Sequence, residues 1–136
     1  MIELKEIVYT REAPEPVGPY SQAVVFKDLI FVSGQIPIDP KTGKVVEGDF
    51  SAKSRQALNN LVNIVRAAGG DVDTLLKVRV FLRNISKFNE FNKVYSEIIG
   101  KNPPPSRVVV EVSNLPLGVE LEVEATAYKI TEGKDS

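Results

Sequence analysis

The stretch Pro103 to Glu124, PPPSRVVVEVSNLPLGVELEVE, constrains the fold more than any other part of the chain. Its three consecutive prolines lack a backbone N–H and have a locked φ, so any helix before them must stop and the chain must run extended. Two alternating runs follow, Ser106 to Val112 and Val119 to Tyr128, separated by the turn-forming segment Ser113 to Gly118. Because side chains alternate along a strand, Val108, Val110 and Val112 face one way and Arg107, Val109 and Glu111 the other. On the second run Val119, Leu121, Val123, Ala125 and Ala127 share a face. Glu120, Glu122, Glu124, Thr126 and Tyr128 share the opposite one. Pairing the runs as a hairpin with like faces together predicts Arg107 opposite Glu124, Val109 opposite Glu122 and Glu111 opposite Glu120. The like charges of the last pair favour exposure at the loop end and burial at the arginine end.

A guanidinium held on a strand suits a small carboxylate, because its planar fork can bond both oxygens at once. In the expected register Glu122 is one residue pair from Arg107, within reach of whatever that arginine binds. Burial would raise the pKa of Glu122 and the arginine would lower it. The residues alone leave two readings open, a structural salt bridge and a catalytic pair.

The rest of the chain reads as one domain over residues 1–136, closed by a polar tail at 131–136. Leu4 to Thr10 is expected as a strand, followed by an irregular segment carrying Pro14, Pro16, Gly18 and Pro19. Gln22 to Phe26 and Leu29 to Ser33 flank Lys27-Asp28 as a hairpin. Asp39 to Gly43 is expected to turn, with a short strand at Lys44 to Glu47. Ser51 to Ala68 is the clearest helix, with Ala57, Leu58, Leu61, Val62, Ile64, Val65 and Ala68 at the spacing of one apolar face. Asp49 or Ser51 can cap its start and Gly69-Gly70 its end; that glycine pair follows a helix, which argues against a phosphate loop. Leu76 to Arg83 is a strand expected to bury Leu76, Val78, Val80 and Leu82. Lys77, Arg79 and Arg83 share its other face with Phe81 and read most simply as solvated. A second helix, Lys87 to Ile99, should turn Phe88, Phe91, Tyr95 and Ile98 inward, with Asn92 at the boundary. The order argues for an α+β sheet with both helices on one face. Its opposite face carries apolar positions that need cover, which points to self-association.

Composition removes many functions. The chain has no histidine and no cysteine. That leaves no metal site built from the usual nitrogen and sulfur ligands, no thiol nucleophile and no Ser-His-Asp triad. A net charge of -1 gives no electrostatic footprint for nucleic acid. No apolar run is long enough for a signal peptide or a membrane span, so a soluble cytoplasmic protein is expected.

Three segments taken together carry a resemblance: GPYSQA at Gly18 to Ala23, SGQIP at Ser33 to Pro37, and PSRVVVEVSNLP followed by EVEATA at Glu122 to Ala127. They stand in the order and at the separations found in the RidA family of reactive-intermediate deaminases, also called the YjgF/YER057c/UK114 family. The chain closely resembles that family from Ala13 to Lys129. The resemblance implies a chorismate-mutase-like α+β fold of the bacillus type, and a homotrimer with ligand clefts between subunits. It implies hydrolysis of 2-imino acids such as 2-iminobutanoate and 2-iminopropanoate, and of their enamine tautomers, to 2-oxo acids and ammonia, with no cofactor and no metal. By position, Arg107 corresponds to the arginine that clamps the substrate carboxylate and Glu122 to the glutamate associated with the catalytic water. Tyr20, Ser33, Gly34, Gln35, Asn92 and Val109 correspond to substrate-lining positions. Val109 departs from the many members that carry cysteine there; a route through water needs no thiol. A non-catalytic trimeric sensor of small carboxylic acids would use the same arginine, and an endoribonuclease or translation inhibitor is a label some relatives carry.

Overall fold

The computed structural model describes residues 2–100 and 103–131. Of the polar tail expected at 131–136, residues 132–136 lie outside the described residues. Among the described residues eight strands and two α-helices follow one another as β1 (Glu6–Val8), β2 (Ala23–Phe26), β3 (Leu29–Gln35), β4 (Ile38–Asp39), β5 (Lys44–Val45), α1 (Phe50–Ala67), β6 (Leu75–Leu82), α2 (Phe88–Ile98), β7 (Ser106–Glu111) and β8 (Leu121–Tyr128). Six of the strands form one sheet in the order β1-β2-β3-β8-β6-β7, and β4 and β5 pair separately. Every pairing in the large sheet is antiparallel except β6 with β7. The result is a mixed α+β domain whose helices pack on one face of the sheet.

Local chemistry sets the helix ends. The Asp49 carboxylate accepts from the Ala52 N–H at 2.9 Å, and Gly69 takes φ +101 just past the C-terminus, where a side chain would be strained. Between those ends the expected stripe is buried from Ala57 to Val65 against β3 and β8. On α2 the buried stripe is Phe91, Val94 and Tyr95, continued by Ile99 beyond the helix; it is rotated from the expected one. Phe88 lies at its exposed margin and Ile98 is half-buried. No helix among the described residues is long and apolar enough to cross a membrane.

Two expectations are overturned. First, the strands flanking the Ser113–Gly118 turn do not form a hairpin. A strand that follows a helix packed on the sheet comes back parallel, and β7 does so beside β6, with Val78 opposite Arg107 and Leu82 opposite Glu111. The chain then passes the end of β6 and inserts β8 on its other side, so Phe81 faces Glu122 and Arg79 faces Glu124. The predicted Arg107–Glu124, Val109–Glu122 and Glu111–Glu120 pairs therefore do not exist. Second, Leu76 is 43% exposed and Leu75 is buried in its place. Leu75 pairs with Ala127 and Lys77 with Thr126, so Leu76 is the extra residue of a bulge and leaves the core face.

Two buried amides brace the irregular segments. Gln22 is 1% exposed; its Oε1 accepts from the Thr10 N–H at 2.7 Å, while its Nε2 donates to the carbonyls of Thr10 at 3.0 Å and Pro14 at 2.8 Å. Asn60, fully buried on α1, donates Nδ2 to the carbonyls of Ile36 at 3.2 Å and Ile38 at 2.9 Å. Truncating Gln22 leaves several buried backbone groups without partners, so Gln22→Ala should lower stability by about 2 kcal/mol. Urea unfolding reads this directly, and a change within error would show that water replaces the amide.

Candidate functional site

The expected site residues fall into two groups on opposite faces of the sheet. The first surrounds Glu122. It is the second residue of β8 and projects onto the face away from the helices, between Phe81 on β6 and the Ser33–Gly34 segment of β3. The β3–β8 ladder shifts register there: Val32 faces Ala125 and Gln35 faces Val123, so β3 spends one residue more than β8. Such a bulge bends the strand and interrupts the ladder beside the glutamate. A Cβ on Gly34 would lie 1.8 Å from Glu122 Oε2, so a side chain at that position would have to displace the carboxylate. Glu122 is thus seated directly on backbone.

A cleft of about 430 Å³ opens over this carboxylate, lined by Val17, Tyr20, Ser33, Gly34, Ile36, Pro116, Glu122 and Glu124. Its loop wall is held by its own hydrogen bonds. The Tyr20 hydroxyl accepts from the Val17 N–H at 3.2 Å, and Ser33 Oγ donates to the Ser21 carbonyl at 2.6 Å. Ser33 therefore uses its hydroxyl proton on structure. Gln35 is 5% exposed, lies in register with core-facing Val123 and donates to the Ser33 carbonyl at 3.2 Å. It braces the segment from below.

The second group surrounds Arg107 at the outer edge of β7, on the helix-bearing face. Its Nη1 donates to Asn92 Oδ1 at 2.8 Å, and its Cζ lies 4.6 Å from the centroid of the Tyr95 ring and 5.6 Å from that of Phe88. Aromatic faces attract a guanidinium and fix its plane without consuming its N–H donors. Among the described residues Arg107 forms no salt bridge, and most of its fork stays available to an external carboxylate. Val109 follows on the same face, opposite Val80 and partly packed on the core. Burial pushes the Tyr95 phenol up to about 12, against a smaller lowering by Arg107, so the ring beneath the guanidinium is neutral.

Electrostatics separate the two groups as well. Burial, and secondarily the nearby negative charge of Glu124, raise the pKa of Glu122 above the ordinary carboxylate value. Glu124 itself is held by Arg79, Nη1 to Oε2, at 3.1 Å. The arrangement offers a half-buried base on one face and a preorganised anion fork on the other. Among the described residues no cluster of three or more acidic side chains is arranged to hold a metal. Residue-level reading missed Phe88 and Tyr95 as the bed of Arg107 and Arg79 as the partner of Glu124. The signal for the first was present in Phe88, Asn92 and Tyr95 at helical spacing.

A carboxylate whose folded pKa lies above its unfolded one supports folding most in acid, and that support is lost as pH rises through the folded pKa. Charged Glu122 thus opposes folding at neutral pH. Glu122→Gln should raise Tm at pH 7.5, and the advantage should disappear below about pH 4, where the carboxyl is protonated in both states. Thermal unfolding across that range is the check; a Tm that falls at pH 7.5 would mean the ionised form is stabilised by the fold.

Comparison with known proteins agrees with this architecture. Residues 10–129 match the family model described as endoribonuclease L-PSP. A RutC family protein of Pyrococcus horikoshii is 48% identical, over 93% of this chain and 99% of its own length. The human 2-iminobutanoate/2-iminopropanoate deaminase is 39% identical, over 93% of this chain and 91% of its own. Among solved structures, a protein of Thermotoga maritima described as a putative endoribonuclease superposes with a TM-score of 0.90 at 44% identity, covering 94% of this chain and all of the other. With the sheet, the seated glutamate and the cradled arginine in place, these matches establish that the chain belongs to the RidA family.

Proposed function

We propose that this chain is a cytoplasmic hydrolase of 2-imino acids, releasing 2-oxo acids and ammonia as a homotrimer with the chorismate-mutase-like fold. The observation that carries the reading is the pairing of a half-buried, proton-hungry Glu122 with a cradled Arg107 whose fork is free among the described residues. The two lie on opposite faces of the sheet, so one chain does not bring both to one small ligand. A second copy that packs on the open sheet face and presents its Arg107 to this cleft would complete the site. Phe31, Val108 and Val110, each around two-fifths exposed on that face, supply apolar area for such packing.

The chemistry needs little beyond placement. Arg107 binds the substrate carboxylate through its fork and so fixes the imine carbon over Glu122. Glu122 takes a proton from water as the water oxygen bonds to the carbon of the protonated imine, giving a carbinolamine. The same carboxyl then returns the proton to nitrogen; ammonia leaves as Glu122 takes the hydroxyl proton and the carbon–oxygen double bond forms, and that proton passes on to the departing ammonia, which restores the carboxylate. Enamine tautomers enter by the same route after protonation at carbon. The neighbour's guanidinium draws Glu122 towards its ionised form, and the bound substrate carboxylate offsets that pull. Tyr20, Ser33, Gly34 and Gln35 shape one wall and Asn92 and Val109 support the other. No cofactor enters, and the imines come from pyridoxal-phosphate enzymes such as threonine or serine dehydratases.

The test couples the protein to a dehydratase that releases 2-iminobutanoate and follows 2-oxobutanoate. The wild type should accelerate its appearance over buffer. Arg107→Ala should lose at least about tenfold through lost orientation. Glu122→Gln should keep ligand binding and lose about a hundredfold in turnover. Binding of 2-oxobutanoate without acceleration would replace the enzyme by a non-catalytic sensor of small carboxylic acids. Specific RNA cleavage that persists in Arg107→Ala would favour the nuclease reading.

A further inference from the structure

We propose that Arg79 is a positioning residue for the acid–base step: by holding the Glu124 carboxylate, it keeps a second negative charge from facing Glu122 unopposed. This rests on the reading of Glu122 as the base. Arg79 and Glu124 are direct cross-strand partners in the β6–β8 ladder, and their side chains meet at 3.1 Å on the open face. Glu122 lies two residues along β8 on the same face, so both carboxylates line the same cleft. Side chains two apart on one strand are about 7 Å from each other, close enough for like charges to matter in a half-buried cleft. The strand geometry therefore forces a second acid beside the base, and Arg79 is the cation in contact with it.

Within one chain the other groups around Glu122 do not substitute for Arg79, and under the proposed function the second copy's Arg107 is offset by the substrate carboxylate it binds. From β3 the neighbours are Ser33 and Gly34, neither charged, and the loop above contributes Tyr20 and, further out, Glu15. Just before β8 the remaining acid is Glu120. On β6, Phe81 stands directly opposite Glu122 and Lys77 is opposite Thr126; just past β6, Arg83 directs its Nη1 to the Gly118 carbonyl. The open face of β7 presents only Val108 and Val110 beside Arg79 and Phe81. Arg79 does not reach the cleft lining itself and acts through Glu124.

The experiment compares Arg79→Gln, Arg79→Lys and the double variant Arg79→Gln/Glu124→Gln. In Arg79→Gln the exposed charge of Glu124 should make Glu122 harder to ionise and move the acid limb of the pH–rate profile to higher pH. Turnover at a fixed pH on the acid limb, relative to each variant's plateau, should fall about threefold. Arg79→Lys should recover most of the loss, and removing Glu124 in the double variant should return the limb to its wild-type position or below. Carboxyl-carbon NMR of Glu122 reads the same titration without any turnover, so it decides the inference even if the wild type proves inactive on imines. A Glu122 titration unmoved in Arg79→Gln, or moved equally in the double variant, overturns the proposal. Circular dichroism melts of all three keep a folding defect from passing as a titration effect.

Discussion

The insertion of β8 between β3 and β6 is the constraint on which the rest of the molecule depends. A strand paired on both edges has its backbone hydrogen bonds satisfied by the sheet and its side chains held in two fixed rows. One row, Leu121, Val123, Ala125 and Ala127, is almost wholly buried against the helices. The two alanines leave room for α1 to lie close over the strand, which is why the helix with the longest apolar stripe packs there. The other row then has to present Glu122 and Glu124 near the middle of the opposite face, where an edge strand would have let them reach water freely. Glu122 is thereby held beside the β3 bulge and over Gly34, and its raised pKa follows from that position.

Arg107 is governed by a different constraint. As part of an edge strand returning from α2, it sees only the side of that helix nearest to it. Asn92 and Tyr95, three residues apart, lie on one helical face, and Phe88 stands one turn before Asn92. The bed made by these three orients a cation without neutralising it. A carboxylate in place of Asn92 would have formed the salt bridge that an arginine near glutamates usually makes. An amide and two rings instead hold the fork without an opposing charge.

How much of this is legible in the sequence depends on how far apart the interacting residues lie. The cap at Asp49, the apolar stripe of α1 and the left-handed Gly69 are local, and each is readable from a dozen residues. So is the two-face alternation of β7 and β8, which the structure keeps residue for residue. The order of strands in the sheet is not local. Nothing within Pro103 to Tyr128 states that β6, some thirty residues earlier, will come between the two runs that a short turn connects. Pairing adjacent strands therefore placed Arg107 and Glu122 on one face, when β7 is parallel to β6 and turns Arg107 to the other. Leu76 failed for a smaller reason of the same kind, since a bulge depends on the partner strand. The family resemblance singles out Arg107, Glu122 and Gly34 regardless, because it compares positions along the chain and needs no topology.

The separation of the two groups gives association a chemical meaning under the proposed function. A base and an anion clamp on one face of one chain would attract each other and close the site with an internal salt bridge. Placed on opposite faces, they stay apart in the single chain and meet only where two copies do. Each copy then contributes a half-site already shaped by its own fold, the glutamate by the β3 bulge and the arginine by its aromatic bed. The substrate carboxylate becomes the group that neutralises the clamp when the cleft is filled. On that view, the half-buried acid and the uncompensated cation are each unfavourable features of the isolated chain, and assembly around a small anion relieves both.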